Sequence, residues 1–222
     1  MAAESPPAKR VKIDFSESIK VQVGASKKEF SVYRDATTSR SPFFKAAVAD
    51  RWNVTGLDIA IELPDDKPEV FSNYLQCLYF DTVRHDGVSA RAFCEVYILA
   101  DKLGDLLSAN LVITGFIKWS TAIHKIPGSS VARYVFANTP AGSQLRRMIV
   151  DYIVQEATDK MFSDVALSGD VELCSALLME FRKLRVENTT RSVSEVFKQL
   201  VSDRPKCYYH QHGETCPPCE GS

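Results

Sequence analysis

The stretch IKVQVGASKKEFSVYRDATTSRSPFF, Ile19 to Phe44, decides how this chain is read. Ile19, Val21 and Val23 alternate with Lys20 and Gln22, the period of a half-buried strand. Phe30 and Val32 alternate with Ser31 and Tyr33 in the same way, and the polar run from Gly24 to Lys28 reads as the turn between them. Asp35 to Ser39 is polar enough for a short helix or turn. Ser41 suits a helix N-cap, with Pro42 at the first helical position, where its missing N–H costs nothing. Phe43, Phe44, Ala47 and Val48 then recur at helical spacing.

Working outward, Arg51 to Gly56 reads as a loop. Leu57, Ile59, Ile61 and Leu63 alternate with Asp58, Ala60 and Glu62 as a third strand, ended by Pro64. Asp66 and Glu69 have the spacing of a capping box, with Pro68 in the first turn. Val70, Phe71, Tyr74, Leu75, Leu78 and Tyr79 form one broad apolar helix face. Asp81 to Gly87 is a polar turn. Ser89 can cap a helix whose face is Phe93, Val96, Tyr97, Ala100 and Leu103, and Gly104 breaks it. Leu107, Leu111, Val112 and Phe116 predict a further helix to about Thr121. After a Pro/Gly/Ser linker, Ile126 to Ser130, three more apolar faces are expected. One is Leu145, Met148, Ile149, Tyr152 and Ile153, with Ser143 able to cap. The second is Val171, Cys174, Leu177, Leu178 and Phe181. The third is Val193, Val196, Phe197 and Leu200, after a Ser192/Glu195 capping box.

The order strand, strand, helix, helix, strand, helix, helix, helix resembles the BTB/POZ family. The residues that carry the resemblance are Val21-x-Val23-Gly24, Phe30-Ser31-Val32-Tyr33-Arg34, Ser41-Pro42-Phe43-Phe44, Ile59-x-Ile61-x-Leu63-Pro64-Asp65-Asp66 and Val70-Phe71-x3-Leu75-x2-Leu78-Tyr79. The run Leu63-Pro64-Asp65-Asp66-x-Pro68-Glu69-Val70-Phe71 is most similar to fungal members. The resemblance implies an α+β fold, a small, mainly three-stranded sheet capped by a helical cluster, followed by a C-terminal helical extension. It divides the chain into an arm at 1–16, a BTB/POZ domain at 17–123, the extension at 124–203 and a Cys/His-rich tail at 204–222. It also implies a protein-binding module with a partner surface around Phe80 and Tyr97. Many relatives carry a His where Tyr33 stands. Dimeric animal relatives have an apolar helix where this chain reads Asp35-Ala36-Thr37-Thr38, so a homodimer is left open.

The balance of charge is even, with a net charge of -1 over 222 residues, so no global field favours nucleic acid or a membrane surface. Hydrophobic residues are 45% and charged residues 25%, an ordinary globular composition. No run reaches about 18 apolar residues, so no span is expected. Met1 to Pro7 lacks an apolar core, so no secretory signal is expected. Cys77, Cys94 and Cys174 lie in apolar helical patterns and read as buried thiols in a reducing compartment.

The polar arm contains Pro7-Ala8-Lys9-Arg10-Val11-Lys12-Ile13-Asp14. Lys9, Arg10 and Lys12 can pair with acidic grooves of an import receptor. The run resembles a monopartite nuclear import signal, which implies the nucleus, with the cytoplasm as a second location. The alternative is a solvated charge run.

The tail reads Cys207-Tyr208-Tyr209-His210-Gln211-His212-Gly213-Glu214-Thr215-Cys216-Pro217-Pro218-Cys219. Zn2+ takes four nitrogen or sulfur ligands in a tetrahedron. Cys207-x2-His210 and Cys216-x2-Cys219 are two chelating pairs of suitable spacing, and His212 can replace His210 or support it from outside. The expectation is one structural zinc on Cys207, His210, Cys216 and Cys219. A Cys-x-Tyr-His-x-His tail is also similar to the end of fungal BTB relatives. The alternatives are incidental Cys and His in a loose tail, and a redox Cys-Pro-Pro-Cys pair, which would need a strand before it and a helix after it.

No Gly-rich phosphate loop, Gly-x-Ser-x-Gly or His-Glu-x2-His occurs. His85 beside Asp86 reads as solvated, and His124 follows a helix end. Arg146-Arg147 and Arg182-Lys183-x-Arg185 read as solvated helix faces, without the interleaved aromatics of a base-stacking platform. The expected function is therefore a non-enzymatic protein-interaction module, a scaffold or regulator in a nuclear transcription complex. The alternative within the family is a substrate adaptor for a cullin-type ubiquitin ligase. An alternative from another class is a small zinc-dependent enzyme using the tail, disfavoured because four sequence-local ligands close the metal's shell.

Overall fold

A computed structural model describes residues 13–52, 60–83, 88–156, 158–187, 204–205, 207–213 and 216–219. The chain is α+β. Strand β1 (Ser18–Val23) pairs antiparallel with β2 (Lys28–Tyr33) from Ser18 opposite Tyr33 to Val23 opposite Lys28, and parallel with β3 (Ile61–Leu63), giving the order β2-β1-β3. The expected alternation holds where it matters: Val21, Val23, Val32, Ile61 and Leu63 are all buried. The hairpin turns at Gly24, whose φ is +75° and whose N–H donates to the Leu63 carbonyl at 2.9 Å. A Cβ there would also meet the Asp66 carbonyl at 3.1 Å, so the position needs glycine for both reasons.

Helices α1 (Arg34–Arg40) and α2 (Pro42–Trp52) follow the hairpin. Ser41 caps α2 as expected, its hydroxyl accepting from the Phe44 N–H at 3.2 Å while donating to the Leu103 carbonyl at 2.6 Å. Helices α3 (Pro68–Phe80), α4 (Ala90–Lys102) and α5 (Leu106–Ile123) complete the first half. Phe71, Tyr74, Phe93 and Phe116 fill its interior. Cys77 and Cys94 are buried there, and desolvation pushes both thiols up to about 12. The capping box expected at Asp66 is absent. Lys67 is the N-cap of α3 without a side-chain bond, and Asp66 instead accepts from Lys102 Nζ at 2.7 Å.

A buried polar junction ties α1, α3 and α5. Asp105, fully buried, caps α5 by accepting from the Ser108 N–H at 3.0 Å and also accepts from the Tyr74 hydroxyl at 3.1 Å. Arg40 lies 3.3 Å from Asp105 and donates to the Leu78 carbonyl at 2.9 Å. Burial and the Asp105 carboxylate hold the Tyr74 phenol well above its ordinary range. Every partner is met, which is what a buried charge requires.

The second half holds α6 (Ser129–Asn138), α7 (Gln144–Glu156), α8 (Asp159–Ala166) and α9 (Val171–Glu187). The sequence patterns anticipated α7 and the position of α9 but not α6 or α8; the face expected for α9 is not its buried one, since Val171, Leu178 and Phe181 are exposed, Cys174 is half-buried, and Leu173 and Leu177 face the core. Arg146 is not the solvated residue expected. It is buried, stacks 4.6 Å over Phe136, donates to the Phe136 and Thr139 carbonyls at the end of α6, and pairs with Glu172 at 2.7 Å. One continuous apolar core runs from Val21 to Tyr209.

Among the described residues, α5 alone is long and apolar enough to cross a membrane, with a mean hydropathy of 1.3, although Ser108, Asn110, Thr114 and Lys118 interrupt its apolar residues. Here it is a core helix: Ala109, Val112, Ile113 and Phe116 are buried, and Phe116 stacks on Phe93 at 5.3 Å. Lys9, Arg10 and Lys12 of the import-like arm, His85, and the helix expected from Val193 to Leu200 lie outside the described residues.

Candidate metal centre

The tail is seated on two helices by polar side chains one turn apart. On α5 these are Asn110 and Thr114; on α7 they are Arg147 and Asp151. Residues four apart share a helix face, so each pair presents two side chains to the same neighbour. Asn110 holds both main-chain groups of Gln211: its Oδ1 accepts from the Gln211 N–H at 2.8 Å and its Nδ2 donates to the Gln211 carbonyl at 2.6 Å. On α7, the Arg147 guanidinium lies 3.9 Å over the Tyr208 ring, which Arg204 also approaches at 4.5 Å. Tyr209 is buried, and its hydroxyl donates to Asp151 Oδ2 at 2.7 Å. Burial raises the Asp151 carboxyl above the usual aspartate range, and the Tyr209 hydrogen bond opposes that rise. Burial and the facing carboxylate keep the Tyr209 phenol protonated at any ordinary pH.

Two tight turns then gather the ligand atoms. The His210 N–H donates to the Cys207 carbonyl at 3.1 Å, so these two side chains stand a single turn apart. Gly213 and Cys216 exchange main-chain hydrogen bonds at 2.9 and 3.1 Å, which folds the chain back and returns Cys219 to His210. A Cβ at Gly213 would meet Leu106 Cδ1 at 3.3 Å, so this turn lies against the start of α5.

The ligand atoms of Cys207, His210, His212 and Cys219 all lie within 4.8 Å of one another. His210 Nδ1 is 3.3 Å from Cys219 Sγ. A tetrahedral zinc with Zn–S near 2.3 Å and Zn–N near 2.0–2.1 Å has an N···S edge of about 3.6 Å. The donor set and this spacing fit a tetrahedral S2N2 metal site. The grouping differs from the expected set in one ligand. His212 stands with His210, whereas Cys216 lies outside the four: its buried thiol accepts from Asn110 Nδ2 at 3.2 Å and is 4.0 Å from His212 Nδ1. The Gly213–Cys216 turn packs against α5, and there Asn110 holds the Cys216 thiol away from the other four. Sequence spacing could not rank five soft ligands for four positions. It also missed Asn110, Thr114 and Asp151, though polar residues four apart on otherwise apolar helices were the available signal.

The expected partner surface does not form as one patch. Phe80 is 66% exposed at the end of α3, but Tyr97 is only 1% exposed. The Tyr97 hydroxyl is turned inward, where it accepts from Gln211 Nε2 of the tail at 3.5 Å. A different row of aromatics is open. Phe15, 58% exposed, packs edge-on to Tyr33 at 5.0 Å, and Tyr33, 43% exposed, packs edge-on to Tyr79 at 6.0 Å, next in the chain to Phe80.

A groove of about 630 Å³ lies between α7 and α9, lined by Phe136, Val150, Ala176 and Met179 among others. Its charged groups are engaged: Arg146 with Glu172, Lys183 with Glu180, Asp151 with Tyr209, and Arg147 with Tyr208. No protein-family model and no curated protein matches this chain.

Proposed function

We propose that this chain is a non-enzymatic protein-interaction module of the BTB/POZ kind, acting as a scaffold or regulator in a nuclear complex, with its tail organised by one structural zinc ion. The observation that carries the interaction reading is the set of exposed aromatics, Phe15 and Tyr33 stacked edge-on over half-buried Tyr79, and Phe80 at the end of α3. Aromatic residues are enriched in the buried centre of protein interfaces, and contiguous exposed ones mark a binding surface. The mixed β2-β1-β3 sheet under α1 to α5 supports the family reading. For the tail, the S2N2 donor set supports zinc, which such a site selects by geometry and ligand type.

Partner identification should be run in parallel on wild type and on a Phe15→Ala/Tyr33→Ala/Phe80→Ala variant. Partners recovered reproducibly with wild type should be lost from the variant; an unchanged partner set would remove this surface. Lys9→Ala/Arg10→Ala should shift a tagged protein from nucleus to cytoplasm. Protein purified without chelator should hold one zinc per chain.

The exposure of Phe80 also favours a second reading, an adaptor for a cullin-type ubiquitin ligase. Purified cullin should then bind wild type and not Phe80→Ala. Absence of binding at tens of micromolar, roughly the weak end of specific association, rejects it.

A further inference from the structure

We infer that Thr114 on α5 is a positioning residue of the metal centre: it takes the Nε2 side of His210, so that the imidazole binds metal through Nδ1. This rests on the zinc reading above and names how that site is built. A histidine ligand must offer one unprotonated nitrogen, and the hydrogen bond made by its other nitrogen selects which. Thr114 Oγ1 lies 2.9 Å from His210 Nε2. The opposite nitrogen, Nδ1, faces the sulfur of a fellow ligand, Cys219, at 3.3 Å. With the Nε2–H donating to the threonine hydroxyl, the Nδ1 lone pair points at the place where the other ligand atoms converge.

The support for this ring is rigid. Thr114 lies in the middle of an eighteen-residue helix between buried Ile113 and buried Gly115. One turn earlier, Asn110 fixes the main chain of Gln211, the residue after His210, through both its N–H and its carbonyl. Helix α5 therefore clamps His210 at the ring and at the following peptide. The metal's ligands all come from a thirteen-residue segment, Cys207 to Cys219, but their orientation comes from a helix about a hundred residues earlier in the chain. Reciprocity of linkage then requires that metal binding strengthens the seating of the tail on α5 by the same factor by which the seated tail strengthens metal binding.

The test uses the full chain and zinc itself. Zinc affinity is measured by competition with a chromophoric chelator for wild type, Thr114→Val, which keeps the shape and removes the hydroxyl, and Thr114→Ser, which restores it. Loss of an outer partner of a metal ligand typically weakens binding by about 10–100-fold, and that loss is expected for T114V, with T114S close to wild type. The chelator-stripped forms of all three should unfold alike, which separates positioning from packing. Long-range 15N–1H correlation spectra of the zinc-loaded wild type give a second readout that needs no variant: His210 should show a metal-bound Nδ1 and a protonated Nε2. T114V binding zinc as tightly as wild type, T114S as weak as T114V, or an Nε2-bound His210 would each overturn the inference while leaving the zinc site standing. Wild type that holds no zinc would instead remove the site itself.

Discussion

The sheet-and-helix half and the tail are held by different forces. In the first, apolar side chains do the work: Val21, Val23, Phe44, Phe71 and Phe116 are all fully buried, and each removes a large area from water. In the tail, only Tyr209 and Cys216 are buried among the described residues, and the segment is seated by its hydrogen bonds with Asn110, Thr114 and Asp151 and by the Arg147 stack. A segment this short cannot bury a core of its own, so directional contacts replace area, and the proposed zinc would add to them. The first kind of structure tolerates conservative change; the second depends on single atoms.

The sharpest way to break this contrast starts with the core. Phe71 is fully buried and packs edge-on to Phe30 at 5.0 Å. Phe71→Ala should cost about 3–5 kcal/mol in urea unfolding. A cost near zero would mean that the first half is not held by its apolar interior.

Metal removal is expected to have the next largest effect. Zinc present at about 100 times its dissociation constant stabilises by about 2.7 kcal/mol. That increment should vanish with chelator or with Cys219→Ser and survive in Cys216→Ser, read as the difference in thermal midpoint with and without zinc. Chelation should also open Cys207 and Cys219 to alkylation at pH 8, while Cys77 and Cys94, held near 12 by burial, stay unmodified. Loss of zinc in Cys216→Ser would restore the ligand set expected from spacing.

Tyr209→Phe comes third. It removes the donor to buried Asp151 and should cost about 1–3 kcal/mol. The pH dependence has a definite sign. Burial raises the folded pKa of Asp151 above its unfolded value, so the fold favours the neutral carboxyl. Its stabilisation is present below the ordinary aspartate value and is lost as pH rises through the raised folded value, after which stability is flat. Tyr209→Phe should raise that value further and widen the window, because the lost hydrogen bond favoured the carboxylate. In chelator throughout, wild type minus Asp151→Asn should show this fall, and the opposite slope would reverse the assignment.

The smallest expected effect is at the surface. Phe80→Ala should change stability by less than about 0.5 kcal/mol, because the ring is already exposed. A larger loss would mean that Phe80 belongs to the core.

Much of the first half was legible because strand alternation and helix periodicity report burial directly. The hairpin, the Ser41 cap and the faces of α3 and α4 appear where those patterns lie; α5 forms, but of its expected face only Val112 and Phe116 are buried, Leu107 being exposed. Helices α6 and α8 were missed, their short apolar stripes of three and two buried residues being too brief to stand out as a period. Tyr97 was assigned to a surface only through the family resemblance; its place on the apolar face of α4 with Phe93, Val96 and Ala100 was the signal for burial, and that face is buried.

The chain alone determined its local elements and the chemistry of the tail, since periodicity and ligand type are properties of neighbouring residues. Which four ligands meet, and what orients them, was decided only by the tertiary fold. Asn110 draws Cys216 aside and Thr114 faces His210 because packing brings α5 to the tail. Contacts between residues about a hundred positions apart leave no period in a sequence; they exist only once the core has formed.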